Sequence, residues 1–517
     1  MTGGFVLFAE LHRQGVINVS NYDVVVIGAG NGGLTAACSL AQRGARTLLL
    51  ERHNVPGGCA TSFRRGRFEF EVALHQLSGL GTKEKPGPLF NVLDRLGVVD
   101  KLEWIEMDNL YRLVIPGQID ITLKADREAC ISTLQESFPA EKEQITAFFD
   151  LVYKFCLEFF STFRDPEANA ENHPLYFKYA LQNTSTVLDE YFTDPVLKLV
   201  LSTYWGYVGV PPSRLTFADM AILLFAYIEL KPGHLKGGSQ ALSTAILEEF
   251  LAAGGVARFN CGAEKILVED GRVTGVVTAD GETIPADYVV SNASTITVYT
   301  EMIDPEHVPA EQFEILGGST IGPSSLTLYI GLDCEPSAVG IDETTNFIGT
   351  GADPDDVFAS FREIDTIDNY VLLSCYNVSD PEASPPGTSQ IAVVDLKYAE
   401  PWLELPPHQY YEQKYAVADK LLEQIEAVFP GFREHIEEIE VATPLTHIRY
   451  LAAPGGAIYG FDQFAKDSNM FIPPQSPIKG LYFAGAWAGM GGFQPTLSSG
   501  ISAARQVIKK LRAQEEV

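Results

Sequence analysis

YDVVVIGAGNGGLTAACSLAQRGARTLLLE, residues 22–51, is the stretch on which the fold turns. Val24 to Ile27 form a continuous apolar run, as expected of a strand buried on both faces of a parallel sheet. Gly28, Gly30 and Gly33 follow in the G-x-G-x-x-G spacing, and Leu34, Ala37 and Ala41 then recur at helical intervals on a stretch that stops at Gly44. A second apolar strand, Thr47 to Leu50, delivers Glu51. Each glycine serves a physical purpose, the first making the tight turn, the second admitting backbone close to a pyrophosphate, and the third letting helix pack on strand. The helix N-terminus then offers free N–H groups to the phosphates, and Glu51 can accept hydrogen bonds from ribose hydroxyls. A lone glycine triplet is weak, but glycines between a strand and a helix, with an acid at this remove, indicate a bound dinucleotide.

A chain of 517 residues exceeds what one hydrophobic core usually supports, so two domains are expected. Its 46% apolar and 20% charged residues are those of a globular protein. Acidic residues number 67 against 37 basic ones, a formal charge of −30 that disfavours nucleic acid and gives no help on an anionic membrane. The seven cysteines form no C-x-x-C pair and the nine histidines no metal-ligand spacing, which points to a reducing compartment without a metal centre. Residues 1–21 carry an apolar patch without a basic region before it, a poor secretory signal. The longest later apolar run, Met220 to Ile228, falls far short of the ~20 residues of a membrane span. A cytoplasmic protein is expected, with peripheral membrane contact and oligomeric state left open.

Beyond Glu51, Gly57 and Gly58 interrupt regular structure, and Cys59, Ala60 and Thr61 are small enough for backbone to lie against the same ligand. Phe68 to Val72 alternate as a strand and lead to His75. Asn109 to Ile115 and Ile119 to Leu123 read as a hairpin. A long helix from about Ala140 carries Ile145, Phe148, Phe149, Val152, Phe155, Phe159 and Phe160 on one broad face, a core stripe or the wall of an apolar cavity. Val187 to Ile228 is again helical, with Tyr204, Trp205 and Tyr207 clustered together. Leu242, Ile246 and Phe250 mark another helix, and Asp270-Gly271 and Asp280-Gly281 then turn short strands ending at Ser291, Asn292 and Ala293. Strands near Leu326, Tyr370 and Ile391, with a helix from Tyr411 to Val428, suggest a second sheet and its cover. Near the end a strand, Leu481 to Ala484, runs into glycines 485, 489, 491 and 492 and a last helix. That second glycine-rich turn could stabilise negative charge at its helix N-terminus.

Four stretches give the chain a family likeness: VVVIGAGNGGLTAA with Glu51 and PGGCATS; KGGSQAL with GAEKILVEDGRVTGV and DYVVSNA; TPLTHIRYLAAPGGAIYG; and LYFAGAWAGMGG. In content and order these resemble the flavin-containing amine oxidoreductase superfamily, and within it the phytoene desaturase, carotenoid isomerase and retinol saturase group. The resemblance implies an α/β fold in which a Rossmann-like FAD-binding domain (20–105, 230–300 and 445–517) is interleaved with a mixed-sheet and helical substrate domain (106–229 and 301–444). It implies FAD rather than NAD, held by Gly28, Gly30, Asn31, Gly32, Gly33, Glu51 and Arg52, with Gly57, Gly58, Ala60 and Thr61 along the pyrophosphate and ribityl chain. Ala263 would offer backbone to the adenine, and Gly485, Ala486, Gly492, Phe493, Gln494 and Thr496 would surround the ribityl and pyrimidine end. Family members often carry an acid where Ala486 stands, so this one contact departs from the pattern. FEVALHQLSG resembles the F-D-x-G-x-H stretch of the group, with Glu71 for Asp and Ala73 for Gly, which makes His75 the candidate polar group near the flavin. His75 could instead tie down its loop, and Arg449, Tyr450 and Tyr459 match a segment that either lines the site or supports it.

The implied activity is desaturation or saturation of C–C bonds in a hydrophobic polyene or isoprenoid lipid, carotenoid- or retinoid-like. Two alternatives stand beside it: a redox-neutral cis-trans isomerase using reduced FAD, and a prenyl-lipid escort protein of the same fold that no longer holds flavin. Every phosphate-facing glycine is intact, which argues against the escort. No separate motif supports an amine oxidase.

Overall fold

Val24, Val25 and Val26 have no exposed surface, and successive side chains on their strand serve opposite cores. Val24 and Val26 pack with Leu34 and Ala37 of the helix Asn31–Ala41, with Leu242 and Ile246 of Gly238–Ala252, and with Leu497 and Ala504 of Phe493–Glu515. Val25 and Ile27 pack on the other side with Ile266, Val276, Val298 and Phe483. The strand, Tyr22–Ile27, lies between Thr47–Leu50 and Thr283–Ser291, both parallel to it. Val256–Arg258 adds a parallel edge beyond Thr47–Leu50. Thr283–Ser291 is shared by two ladders: its first half pairs antiparallel with Arg272–Thr278, and Val289 to Ser291 pair parallel with Leu481–Phe483. In this register Ile27 lies beside Leu50 and Ser291, and Ser291 beside Phe483, so four strands leave the sheet at one edge.

A second seven-stranded sheet has the order Ile436–Ala442, Ser324–Leu332, Ser389–Lys397, Tyr370–Cys375, Thr345–Gly349, Asn109–Ile115, Ile119–Lys124. All its pairings are antiparallel except that of Thr345–Gly349 with Asn109–Ile115. One face is covered by Tyr410–Val428, whose Val417, Leu421 and Ile425 meet Leu328, Ile330 and Val393. Leu113, Phe347 and Leu396 face a helical block built from Lys142–Thr162, Thr184–Tyr191, Pro195–Ser202 and Phe217–Glu229. The α/β class and the mixed second sheet agree with the sequence reading.

The computed structural model describes residues 22–82, 85–364, 370–464, 476–489 and 491–515; the leader expectation for residues 1–21 lies outside them. Among the described residues no helix is long and apolar enough to cross a membrane. Phe160 departs from its expected place in the core stripe: it is 39% exposed while Phe155 and Phe159 are buried. The region 187–228, read as one helical pattern, is divided among separate helices, with Gly209 left-handed at φ 77° ending the short helix Trp205–Val208.

The close approach of the first and last helices depends on Gly500. A Cβ there would collide with the Gly32 carbonyl and the Thr35 hydroxyl, and Thr35 Oγ1 itself donates to the Leu497 carbonyl at 3.0 Å. Gly500→Val is expected to destabilise the protein by roughly 1–3 kcal/mol through overpacking, read as a lowered Tm.

Candidate active site

Gly28 takes φ 88° to turn the chain out of the first strand, and a Cβ on Gly33 would strike the Gly28 carbonyl. The helix that follows has no side-chain cap at Gly30 and no acid in its first turn. Its first N–H groups therefore remain available to an anion, on the positive end of the helix dipole. Glu51 is 8% exposed, and its carboxylate accepts from the backbone N–H of Ala29 at 2.6 Å and of His53 at 2.7 Å. Two acceptors on a carboxylate leave lone pairs for ribose hydroxyls.

Asn292, at the exit of Thr283–Ser291, occupies the space those glycines leave. A Cβ on Gly30 would lie 2.6 Å from its Nδ2, and one on Gly32 would lie 2.7 Å from its Oδ1. Gly485, φ 88°, leaves the last strand against the same side chain and donates its N–H to Ser499 Oγ at 2.8 Å. The early and late glycine turns thus meet at one amide. Gly57 donates to the Ala29 carbonyl at 2.7 Å, and a Cβ on Gly58 would come 3.4 Å from Gly30 Cα. The KGGSQAL helix clamps this loop: Thr61 Oγ1 donates to Gln240 Oε1 at 2.6 Å, and Ser243 Oγ donates to the Ala60 carbonyl at 2.7 Å.

The remaining candidates are spread around this core. Gln494 lies beside Gly79, Thr496 Oγ1 donates to the Phe493 carbonyl at 2.8 Å, and its N–H donates to the Gly492 carbonyl at 3.2 Å, all in the first turn of the last helix. Ala486 begins the short turn Ala486–Ala488. Ala263 opens the strand Ala263–Glu269, one residue beyond Gly262, whose added Cβ would be 3.3 Å from Arg52 Cβ. Arg52 is engaged elsewhere: its Nη2 donates to the carbonyls of Arg449 at 2.6 Å and Tyr450 at 3.3 Å, fastening the strand exit to the end of Pro444–Leu451.

A dinucleotide fits these residues. Asn31 Oδ1, at the mouth of the glycine turn, is buried without a partner, and the helix that starts there has no side-chain cap on its first N–H groups. Among the described residues one grouping has metal-ligand character, Asp333, Cys334 and His435, and it belongs to the far end of the second sheet.

Next to the glycine site is a hollow whose surroundings the sequence reading touches at Cys59, His75, Tyr207 and Tyr459. Cys59, His75, Tyr207 and Tyr459 keep accessible surface although they are enclosed: burial pushes the Cys59 thiol up to about 11, His75 down to about 4, and the Tyr207 and Tyr459 phenols up. Groups that are desolvated yet accessible line an internal space. Tyr459 is near enough to Cys59, Tyr207 and Tyr227 for their charges to interact, and Gly491 packs on its backbone. From there an aromatic row runs through Tyr227, Tyr204 (4.7 Å, stacked), Tyr207 (5.3 Å, stacked), Phe347 (5.4 Å), Tyr370 (5.5 Å, stacked) and Trp205 (5.4 Å, stacked). It ends at a void of about 20 Å³ bounded by Trp205, Tyr370, Leu113 and Ile115. Gln76 ties the row to the loop, with Oε1 accepting from Tyr204 at 3.2 Å and Tyr207 at 3.4 Å. Glu71 fixes the same loop, accepting from the N–H groups of Ala73, Leu74 and Ser239 and from Ser239 Oγ; burial holds its carboxyl above the usual range.

The family model described as "Flavin containing amine oxidoreductase" matches residues 32–508. The "All-trans-retinol 13,14-reductase" of Danio rerio is 26% identical, the alignment covering 94% of this chain and 86% of that protein. "Prolycopene isomerase 1, chloroplastic" of an Oncidium hybrid cultivar is 27% identical, over 91% of this chain and 81% of that one. Among solved structures, an oxidoreductase from Methanosarcina mazei shares the fold, with TM-score 0.65 at 16% identity over 93% of this chain and 99% of its own.

Gly30→Val is expected to yield a colourless protein that added FAD does not restore, because the new side chain collides with Asn292 and forces the glycine turn out of shape. His75 predicts a pH effect. Its ordinary value of 6.5 falls to about 4 in the folded protein, so as pH drops the unfolded chain takes up this proton first. Stability should therefore fall between pH ~6.5 and ~4 and level off below, by up to about 3 kcal/mol from this group. His75→Gln should flatten that part of a denaturation-against-pH profile.

Proposed function

The chain belongs to the flavin containing amine oxidoreductase family, and from that premise we propose that it is an FAD-dependent oxidoreductase acting on the conjugated double bonds of a hydrophobic polyene, retinoid- or carotenoid-like. The observation that carries this reading is the stacked aromatic row leading away from the glycine-built site. Tyr207 and Tyr370, the two rings of the row that keep accessible surface, offer flat faces that suit a flat conjugated chain, which gains dispersion along them. The names of the two relatives, a retinol reductase and a prolycopene isomerase, support the same substrate class.

Bound FAD supplies a centre that accepts or gives a hydride. The chain's residues do the rest. We assign Gly28, Gly30, Asn31, Gly32, Gly33 and Glu51 to the pyrophosphate and adenosine, and Gly57 to Thr61, Gly485 and Gly492 to Thr496 to the ribityl and ring end. Residues 20–105, 230–300 and 445–517 form the cofactor-holding part in this reading, supported by the first sheet, whose strands all fall within them; the strands of the second sheet all fall within 106–229 and 301–444. The aromatic row aligns the substrate and excludes water. His75 is the polar group at the reacting end. A rearrangement without net redox change would use the same residues, and the isomerase relative favours it as the second reading.

A hydrophobic substrate has to be delivered, and Leu157, Phe163, Phe177 and Leu181, each 50–67% exposed, form an apolar surface on the helical block suited to peripheral contact with a membrane. The seven cysteines are unpaired, in keeping with a reducing compartment such as the cytoplasm.

The test is product mass. Purified FAD-loaded protein is incubated with polyenes of defined geometry, with and without dithionite. A gain or loss of two hydrogens is the expected outcome. Altered geometry at unchanged mass would establish the isomerase reading, and unchanged substrate throughout would overturn both.

A further inference from the structure

His75 has a neighbour that its own stretch of sequence does not announce. Tyr376 begins a short turn, Tyr376–Ser379, at the end of the strand Tyr370–Cys375, and its hydroxyl lies 2.9 Å from His75 Nδ1. The two rings stack, with centroids 6.4 Å apart and planes at 24°. Tyr376 is 1% exposed, so its hydroxyl proton needs an acceptor within the protein. Among the described residues His75 Nδ1 is the partner it has. Burial raises the Tyr376 phenol well above its ordinary value and lowers His75 to about 4, so both are uncharged at neutral pH.

Behind Tyr376 sits a second buried histidine. His234 is 3% exposed, its ring lies 5.7 Å from that of Tyr376, and its Nε2 is 3.9 Å from Oδ2 of Asp380, which is also 3% exposed. Asp380 in turn donates its N–H to the Tyr376 carbonyl at 2.9 Å. Tyr376 is thereby fixed at its backbone and along its ring.

A neutral imidazole whose Nδ1 accepts a hydrogen bond carries its proton on Nε2. His75 Nε2 has no partner among the described residues, and the ring keeps accessible surface inside the protein. We propose that Tyr376 is a positioning residue that holds His75 in its Nε2–H tautomer, so that the hollow presents a directed donor and takes a polyene bearing an oxygen, as an alcohol or carbonyl, in preference to a hydrocarbon. The proposal rests on the polyene reading above and narrows it. A hydrocarbon pressed against Nε2–H leaves that donor buried and unpaired, whereas a substrate oxygen satisfies it; the difference corresponds to roughly ten- to a hundredfold in affinity.

The test compares two ligands on one sample. The FAD-loaded wild type and its Tyr376→Phe, His75→Phe and His75→Gln variants are titrated with an all-trans polyene alcohol and with a hydrocarbon of equal conjugation, following the change in ligand absorbance. The ratio of the two dissociation constants is unaffected by the fraction of protein that folds. Wild type is expected to favour the alcohol at least about tenfold. Tyr376→Phe and His75→Phe should lose that preference, and His75→Gln, whose amide donor needs no tautomer fixed, should keep part of it. Equal affinities in the wild type, or an unchanged ratio in Tyr376→Phe, would overturn the assignment. If the preference holds but no polyene is converted, the donor assignment stands and the oxidoreductase reading fails.

Discussion

The Asn292 side chain touches the space left by three absent Cβ atoms, at Gly30, Gly32 and Gly485, and this contact joins the beginning of the chain to its end. Asn292 can be there because the parallel register sets Ser291 beside both Ile27 and Phe483. Register is quantised: a shift of one residue would turn every side chain on the strand to the opposite face. The backbone ladders on both sides of Tyr22–Ile27 hold this register, so pairing remote from the ligand edge fixes the geometry at it. Arg52 adds to this from the side by engaging the Arg449 and Tyr450 carbonyls.

The hollow next to that edge combines two demands that pull in opposite directions. Stacked rings from Tyr227 to Trp205 make one side of it apolar and flat. Hydroxyl, imidazole and thiol groups at the near end lose hydration on burial and need partners. The protein meets part of that need internally, with Gln76 accepting from two tyrosines and Tyr376 donating to His75. Glu71, buried and held by four donors, keeps the loop that carries His75 and Gln76 in place.

The first sheet was largely legible in the chain because its constraints are local: a fully buried strand must be apolar, and a turn under a phosphate must be glycine. Thr47–Leu50 and the two Asp-Gly turns coincide with their sequence signals for that reason. In the second sheet the strands Thr345–Gly349 and Ile436–Ala442 carried no readable signal. The first buries Thr345 and Asn346, and the second alternates acids with isoleucines across from a register shift at Gly331 and Leu332, which breaks the period of two. His75, His234 and the Tyr376–Asp380 turn converge from three separate stretches of the chain, so no spacing could announce their meeting. Arg52 shows another long-range contact, its guanidinium reaching the Arg449 and Tyr450 carbonyls 397 and 398 positions away.

Thr35 donates to a carbonyl 462 positions further along, and Thr283–Ser291 waits for Leu481–Phe483 to complete its parallel ladder. A ribosome making this chain therefore releases an early βαβ unit, a hairpin and a whole second sheet before the final strand exists. Contacts of such separation form late and slowly. Until then the carboxyl half of Thr283–Ser291 is an uncovered edge with an apolar run, the kind of surface chaperones hold. Both glycine turns are present only once Leu481–Phe483 and Gly485 have been made, and a ligand bound by the folded form then draws the equilibrium toward it by mass action. Supply of FAD should accordingly govern how much of this protein a cell accumulates, as well as how much of it is active.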